Sequence, residues 1–235
     1  MFTGLVREIG VLRGLGRRGG IMRLDIAAPV TAARVAPGDS VAVAGICLTV
    51  TAVQGPVFSV EAASETRRLT TLQHWRVGRR LHLEPALRVG DPLDGHLVQG
   101  HVDGVGTVRA VRRAGRDLLV TVGLGPDLAR FLVPKGSVAL DGVSLTVDEG
   151  PHTDRFTVNL IPHTLQGTTL AGLKPGRPVN LELDVLVKAA RAGGLAGLPA
   201  VAAADADAGD AAPPLTMDRL RAAGFGRRRA VKGRA

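Results

Sequence analysis

Short apolar runs with alternating polar positions, interrupted by glycine and proline about every 8–12 residues, mark this chain as a succession of β-strands. Leu5 to Leu12 is one such run, punctuated by Gly4, Gly10 and Gly14. Gly16-Arg17-Arg18-Gly19-Gly20 has the composition of a hairpin loop, and Ile21 to Ile26 resumes as a strand. Pro29 to Val35 predicts a short helix and Pro37-Gly38-Asp39 a turn. Ser40 to Val43, Cys47 to Val53 and Val57 to Ala62 are further strands, Glu65 to Leu72 a polar connection, and Arg80 to Leu83 a last strand. A unit of about six short strands removes its exposed edges best by closing, so a small barrel is expected.

The pattern then repeats. Gly45-Ile46-Cys47-Leu48-Thr49-Val50 returns as Gly142-Val143-Ser144-Leu145-Thr146-Val147, 97 residues on (142 − 45), each copy preceded by Ser-Val-Ala at Ser40 and Ser137. Phe58-Ser59-Val60 returns as Phe156-Thr157-Val158, Thr70-Thr71-Leu72 as Thr168-Thr169-Leu170, and Leu83-Glu84 as Leu181-Glu182. Gly4-Leu5-Val6 aligns with Gly100-His101-Val102. A period this long predicts two tandem copies of one domain, not a solenoid. The expected division is 1–96, 97–188, and 189–235 for a short helix end and tail. In the second copy Pro126 to Leu132 is the short helix and Pro134-Lys135-Gly136 the turn. Val185 to Ala192 has helical composition, ended by Gly193-Gly194. From Leu195 onward Ala, Gly, Asp and Pro dominate, which predicts disorder, with a brief helix at Thr216 to Ala223.

Composition narrows the class. The core should be aliphatic, with no Tyr and one Trp. The net charge of +9 raises nucleic acid as a partner, but the chain has few aromatic platforms for base stacking. The stretch from Arg191 onward carries eight basic and four acidic residues, hence +4 of that total. No nucleic-acid partner is expected. One cysteine excludes an internal disulfide, and no apolar run is long enough for a bilayer. With no signal-peptide pattern at the start, the expectation is a soluble, cytoplasmic protein without a membrane partner.

The candidate chemistry centres on the repeated motif. Cys47 reads either as a small buried apolar residue, the more common role, or as a functional thiol, a reading that its replacement by Ser144 in the second copy raises. Strand alternation puts Cys47 with Thr49, and Ser144 with Thr146, on one face. His101 lies among glycines, where a ligand can approach the backbone closely. His96 and His101 are spaced poorly for a shared metal, and no Cys/His cluster accompanies them, so no metal site is expected. Lys135 reads as a solvated turn residue or a ligand contact.

These residues resemble the riboflavin synthase family, whose members are built from two lumazine-binding repeats. The resemblance rests on Met1-Phe2-Thr3-Gly4, the Cys47 motif, Ser64-Glu65-Thr66, Gly95-His96, Gly100-His101-Val102-Asp103-Gly104, Pro134-Lys135-Gly136-Ser137, the Ser144 motif and Ile161-Pro162-His163-Thr164-Leu165. It implies two six-stranded Greek-key barrels and a cofactor-free dismutation of 6,7-dimethyl-8-ribityllumazine, a transferase reaction. It further implies a homotrimer with active sites between subunits, and association with lumazine synthase. Carried over residue by residue, the catalytic candidates are Cys47, His101 and Ser144. The substrate-binding candidates are Gly4, Leu5, Val6, Ser40, Leu48, Thr49, Glu61, Ala62, Ala63, Ser64, Glu65, Thr66, Gly100, Val102, Lys135, Leu145, Thr146, Leu160, Ile161, Pro162, His163, Thr164, Leu165 and Asp184. The chain departs from the family pattern at Ala44, at Arg67-Arg68-Leu69, at His82 and at Gln99, so unequal lumazine binding by the two barrels is expected. The segment after Asp184 also lacks the family's usual trimer-forming run. The alternative reading is a non-catalytic lumazine or flavin carrier on the same fold.

Overall fold

The computed structural model describes residues 1–193. The expected disorder from Leu195 and the helix at Thr216 to Ala223 lie outside the described residues.

Twelve strands form two closed antiparallel barrels of six. The first contains β1 (Glu8–Arg18), β2 (Ile21–Ala27), β3 (Ser40–Val43), β4 (Ile46–Gln54), β5 (Val57–Ala62) and β6 (Arg80–Pro85). The second contains β7 (Gly104–Ala114), β8 (Asp117–Gly123), β9 (Ser137–Leu140), β10 (Val143–Glu149), β11 (Arg155–Leu160) and β12 (Pro178–Leu183). Neighbours run β1-β2-β5-β4-β3-β6 in one and, at equivalent positions, β7-β8-β11-β10-β9-β12 in the other. Register shifts recur at matching places, Leu12/Gly14 with Val108/Ala110 and Val50/Ala52 with Val147/Glu149. Such bulges bend a strand enough to help close a small barrel.

Two local expectations need correction. The hairpin loop is shorter than its composition suggested: β1 runs through Arg18, and only Gly19 and Gly20 turn, with φ of 57° and 84°. Positive φ at both central residues gives the turn a twist that matches the strands. The connection from Glu65 to Leu72 is not irregular. It holds α2 (Ser64–Leu69) and a 3-10 turn (Thr71–His74), mirrored in the second copy by α4 (Pro162–Gly167) and a 3-10 turn (Thr169–Gly172). In both, the threonine between the pieces accepts the next turn's second N–H, Thr70 from Leu72 and Thr168 from Leu170. Those hydroxyls cap what apolar periodicity alone does not reveal. The short helices α1 (Pro29–Ala32) and α3 (Pro126–Ala129) stand where proline-led helices were expected, and α5 (Val185–Arg191) follows β12.

Each barrel is filled by its own aliphatic core. Leu24, Ile26, Val41, Val60 and Leu83 are fully buried in the first, and Val108, Val120, Val138, Val158 and Leu181 in the second. Phe58 and Phe156 occupy equivalent buried places. Packed interiors leave no room for a ring-sized ligand inside either barrel, so ligand chemistry belongs to the outer walls.

The segments that begin the two copies exchange partners. Phe2 and Val98 form a two-way backbone pair (N–O 2.7 and 3.1 Å). Val6 then packs on the second barrel's core, and Val102 on the first barrel's. Buried carboxylates hold both crossings. Glu84 of β6 accepts from the Thr3 and Gly4 amides (2.7 and 2.9 Å) and from the Thr3 hydroxyl (2.7 Å). Glu182 of β12 accepts from the Gln99 and Gly100 amides (2.6 and 2.9 Å). The Leu-Glu echo in the sequence is therefore a pair of backbone clamps.

A second pair of equivalent residues, His82 and Asn180, ties barrel to barrel. Asn180 donates to the Ala44 carbonyl (2.9 Å) and accepts from the Thr71 amide (2.8 Å). His82 Nδ1 donates to the Asp141 carbonyl (2.9 Å), so Nε2 is left to accept from the Thr169 amide (2.9 Å). His82, one of the departures from the family pattern, thus serves the junction and not a ligand wall. Burial lowers its pKa below the ordinary 6.5, and protonation would set an N–H against the Thr169 N–H. Its stabilisation is present above 6.5 and is lost as pH falls through the depressed folded value. The denaturation midpoint should therefore decline below pH 6.5. His82→Asn, which copies position 180, should flatten part of that decline; an unchanged pH profile would assign the loss elsewhere, His96 included.

Candidate functional site

Strand alternation works as expected at both motifs. Ile46, Leu48 and Val50 point into the first core, which leaves Cys47 half-buried and Thr49 exposed on the outer wall. Leu145 and Val147 point into the second, which leaves Ser144 half-buried and Thr146 exposed. Leu48 and Leu145 can therefore offer a ligand only backbone groups. Across the first wall Ser40 pairs with Thr49, and Thr49 with Glu61, so three polar residues cross neighbouring strands in one row. Ala62 is buried, whereas Ala63, Ser64 and Glu65 are exposed where α2 begins. Glu65 is held by Arg68 through two bonds (2.6 and 3.1 Å). On the second wall Leu160 is buried, Ile161 and His163 are exposed, and Pro162 and Thr164 are half-buried at the start of α4. Leu165 leans on the second core.

The exchanged segments complete each wall. Cys47 N–H donates to the Gly100 carbonyl, and Ser144 N–H donates to the Gly4 carbonyl, both at 2.8 Å. Gly100 and Gly4 have φ of 78° and 77°, and a Cβ on either would stand 2.6 Å from the Cβ of Cys47 or Ser144. Only glycine satisfies both the left-handed backbone and that approach. Hence the first wall consists of first-copy strands plus Gly100-His101-Val102, and the second of second-copy strands plus Gly4-Leu5-Val6. His101 is exposed beside the Cys47 wall.

His96, part of the Gly95-His96 motif and absent from the catalytic candidates, meets the second wall. Its Nδ1 lies 2.7 Å from Ser144 Oγ, the residue is 8 % exposed, and its Nε2 is buried with no partner among the described residues. Burial lowers its pKa, partly offset by the charge of Asp184, so the ring is held neutral. A neutral imidazole against a hydroxyl can accept that proton or orient the oxygen. Gly95 makes the approach possible, because a Cβ there would meet the Thr3 carbonyl oxygen at 2.1 Å. The signal was the Gly95-His96 dipeptide among the motifs of the resemblance. Each wall thus joins a strand bearing a thiol or hydroxyl to a neighbouring imidazole: Cys47 with His101 nearby, and Ser144 bonded to His96.

Two other candidates have local partners. Asp184 caps α5 by accepting from the Leu186 amide (2.9 Å). Lys135, at φ 58°, donates to the carboxylate and carbonyl of Asp148 (2.8 and 3.1 Å), on the rim of its own barrel. No group of three metal-ligating side chains gathers among the described residues.

The two clamps are not equal. Thr3 gives Glu84 a hydroxyl donor that Gln99 does not give Glu182. Burial pushes Glu182 up to about 7, against the lowering effect of its two amide donors. Because its folded value lies above the ordinary 4.5, stability is greatest while it is protonated and declines as pH rises from 4.5 to 7. Gln99→Thr should restore the missing donor and raise stability at pH 8 by about 1.5–3 kcal/mol, the worth of a hydrogen bond to a charged group. Denaturant titrations at pH 5 and 8 check this; an equal change at both would show that the hydroxyl does not reach Glu182.

The lumazine binding domain model matches residues 3–86 and again 99–184. A riboflavin synthase from Brucella abortus is 40% identical over 196 residues, covering 80% of this chain and 95% of the relative. The chain belongs to the riboflavin synthase family. A riboflavin synthase from Bacillus subtilis is 37% identical over 188 residues, covering 80% of this chain and 87% of its own length. Among solved structures, LumP complexed with riboflavin matches with a TM-score of 0.72 at 26% identity, over 78% of this chain and 99% of LumP. Both the tandem matches and the LumP alignment cover the two barrels described above.

Proposed function

We propose that this chain is a transferase that makes riboflavin from two molecules of 6,7-dimethyl-8-ribityllumazine. One lumazine gives up a four-carbon unit to the other, and 5-amino-6-ribitylaminouracil is released. The atoms and electrons of two lumazines equal those of the two products, so no outside oxidant is needed. The observation that carries this reading is the pair of equivalent outer walls, one bearing a thiol and the other a histidine-bonded hydroxyl.

The chemistry assigns work to those groups. The methyl at position 7 of one lumazine is acidic because its anion spreads into the ring, and a neutral imidazole beside the wall can take the proton. The same carbon region of the other lumazine is electrophilic, and a thiol or a hydroxyl activated by histidine can add there. Thr49, Ser40 and the backbone of Glu61 to Thr66, with Thr146 and Leu160 to Thr164 on the other wall, would bind the pyrimidine edge and ribityl hydroxyls. Rate enhancement comes chiefly from holding two flat rings face to face. Each wall is open on its outer side, which supports a homotrimer in which the first wall of one subunit faces the second wall of the next. Lys135 would then exchange Asp148 for a group across that interface. A cytoplasmic location suits the single free thiol.

A second reading, a lumazine or flavin carrier, is favoured by the similarity to LumP complexed with riboflavin. Incubating the protein with the lumazine alone separates the two: riboflavin accumulates if it is an enzyme, and binding without turnover identifies a carrier. Cys47→Ser should slow turnover while leaving lumazine affinity nearly normal, because a hydroxyl still fits but is a far poorer nucleophile. Turnover at the wild-type rate would leave Cys47 as a packing residue.

A further inference from the structure

A cleft of about 560 Å³ opens between the barrels, lined by Arg79, Arg80 and Arg177 with Thr168, Thr169 and Gly172. It lies outside the two ligand walls except at Leu165, which it shares with the second. Its contributors are the start of β6, the residue before β12 and the second copy's 3-10 turn. Leu165 and Gln166 of α4 also face it, Leu165 being the last of the candidate contacts on that helix.

Three guanidinium groups converge here without a counter-charge. Among the described residues, none of the three has a carboxylate within ion-pair distance. Asp141 influences Arg79, but its carboxylate is buried and already accepts from the Asn180 amide (2.8 Å). Arg79 lies with its guanidinium 5.3 Å from the centroid of Trp75, and its Nε is buried without a partner. Stacking holds that planar fork in place, which lowers the entropy cost of engaging a tetrahedral oxyanion. Clustered cations of this kind repel one another, and an anion seated among them relieves the repulsion.

Comparison of the two copies argues that the opening is specific. The equivalents of Ala171 and Gly172 are Gln73 and His74, and the equivalent of Arg80 is Pro178. The equivalents of Leu165 and Gln166 are Arg67 and Arg68, so the first copy fills with larger side chains the place where the second has room. A Cβ on Gly172 would meet nothing within 4 Å, so the space is real and a side chain there is tolerated.

We propose that this cleft binds a phosphate dianion, either as inorganic phosphate or as the phosphate of a small monoester. The lining is predominantly polar, and its donors for a phosphate's oxygens are the three arginine forks, since the Thr168 and Thr169 hydroxyls are engaged by the Thr164 carbonyl and His82 Nε2. The volume leaves space for the organic part of a monoester.

Calorimetry with inorganic phosphate and with glycerol phosphate, at an ionic strength held constant with chloride, tests the assignment. Trp75, the chain's one tryptophan, gives an independent fluorescence signal because Arg79 stacks on it. Saturable binding of one equivalent per chain is expected. A monoester more than tenfold tighter than inorganic phosphate identifies the organic source; equal affinity identifies the free ion. Arg80→Gln with Arg177→Gln should weaken binding at least tenfold. Ala171→Gln with Gly172→His, which installs the first copy's residues without touching an arginine, should weaken it as much at an unchanged melting temperature. No saturation through the millimolar range overturns the proposal. Binding that survives either folded variant overturns it as well, because the phosphate would then sit elsewhere on a basic surface.

Discussion

His96→Phe should lower kcat for the lumazine by roughly a hundredfold or more, the usual worth of a positioned general acid or base. Phenylalanine keeps the buried ring and removes the nitrogen that lies 2.7 Å from Ser144 Oγ. Ser144→Ala should cost turnover too and weaken lumazine binding on the second wall by about 0.5–1.5 kcal/mol, one hydrogen bond's worth. Because the two groups act through one contact, the double variant should be little worse than the more damaging single one. The pH profile gives a readout that a packing role would not move. His96 is depressed by burial, so the neutral ring persists below 6.5 and the acid limb of kcat/KM should fall beneath that value. In His96→Phe this limb should vanish. If the variant keeps the wild-type limb, or if single losses simply multiply in the double variant, His96 and Ser144 do not work as a pair.

Gly100→Ala should destabilise the protein by about 3 kcal/mol, combining a strained left-handed backbone with overpacking. The added carbon would stand 2.6 Å from Cys47 Cβ and 2.7 Å from Cys47 N. Both neighbours are fixed, one by a barrel strand and the other by its 2.8 Å bond to the Gly100 carbonyl. The crossing segment must lift away, taking His101 and the Glu182 clamp with it. Turnover should therefore fall more than the loss of folded protein explains. Gly16→Ala is the control, since a Cβ there meets nothing within 4 Å. Equal denaturation midpoints for the two variants would show that the crossing segment yields easily and does not define the Cys47 wall.

The His82 and Gln99 departures show how a sequence difference changes meaning once partners are known. Read along the chain, both suggested a weaker ligand wall in the first barrel. In the fold His82 bridges Asp141 and Thr169 across the barrel junction. Gln99 is the start of a crossing segment, and its shortcoming is a hydroxyl that Glu182 does not receive.

The sequence by itself determined the repeated barrels and the outward face of Cys47, Thr49, Ser144 and Thr146. Strand alternation, turn residues and a recurring motif are local signals, and each copy states them independently. What only the tertiary structure decided was who partners whom across the repeat. An exchanged start and an unexchanged one have the same local pattern, because residues 2–6 and 98–102 are equivalent in both copies. The choice rests on contacts between the copies, Gly4 with Ser144 and Cys47 with Gly100, far apart along the chain. The bond of His96 to Ser144 spans 48 residues. Such pairings depend on closing both barrels first, so no periodicity along the chain records them.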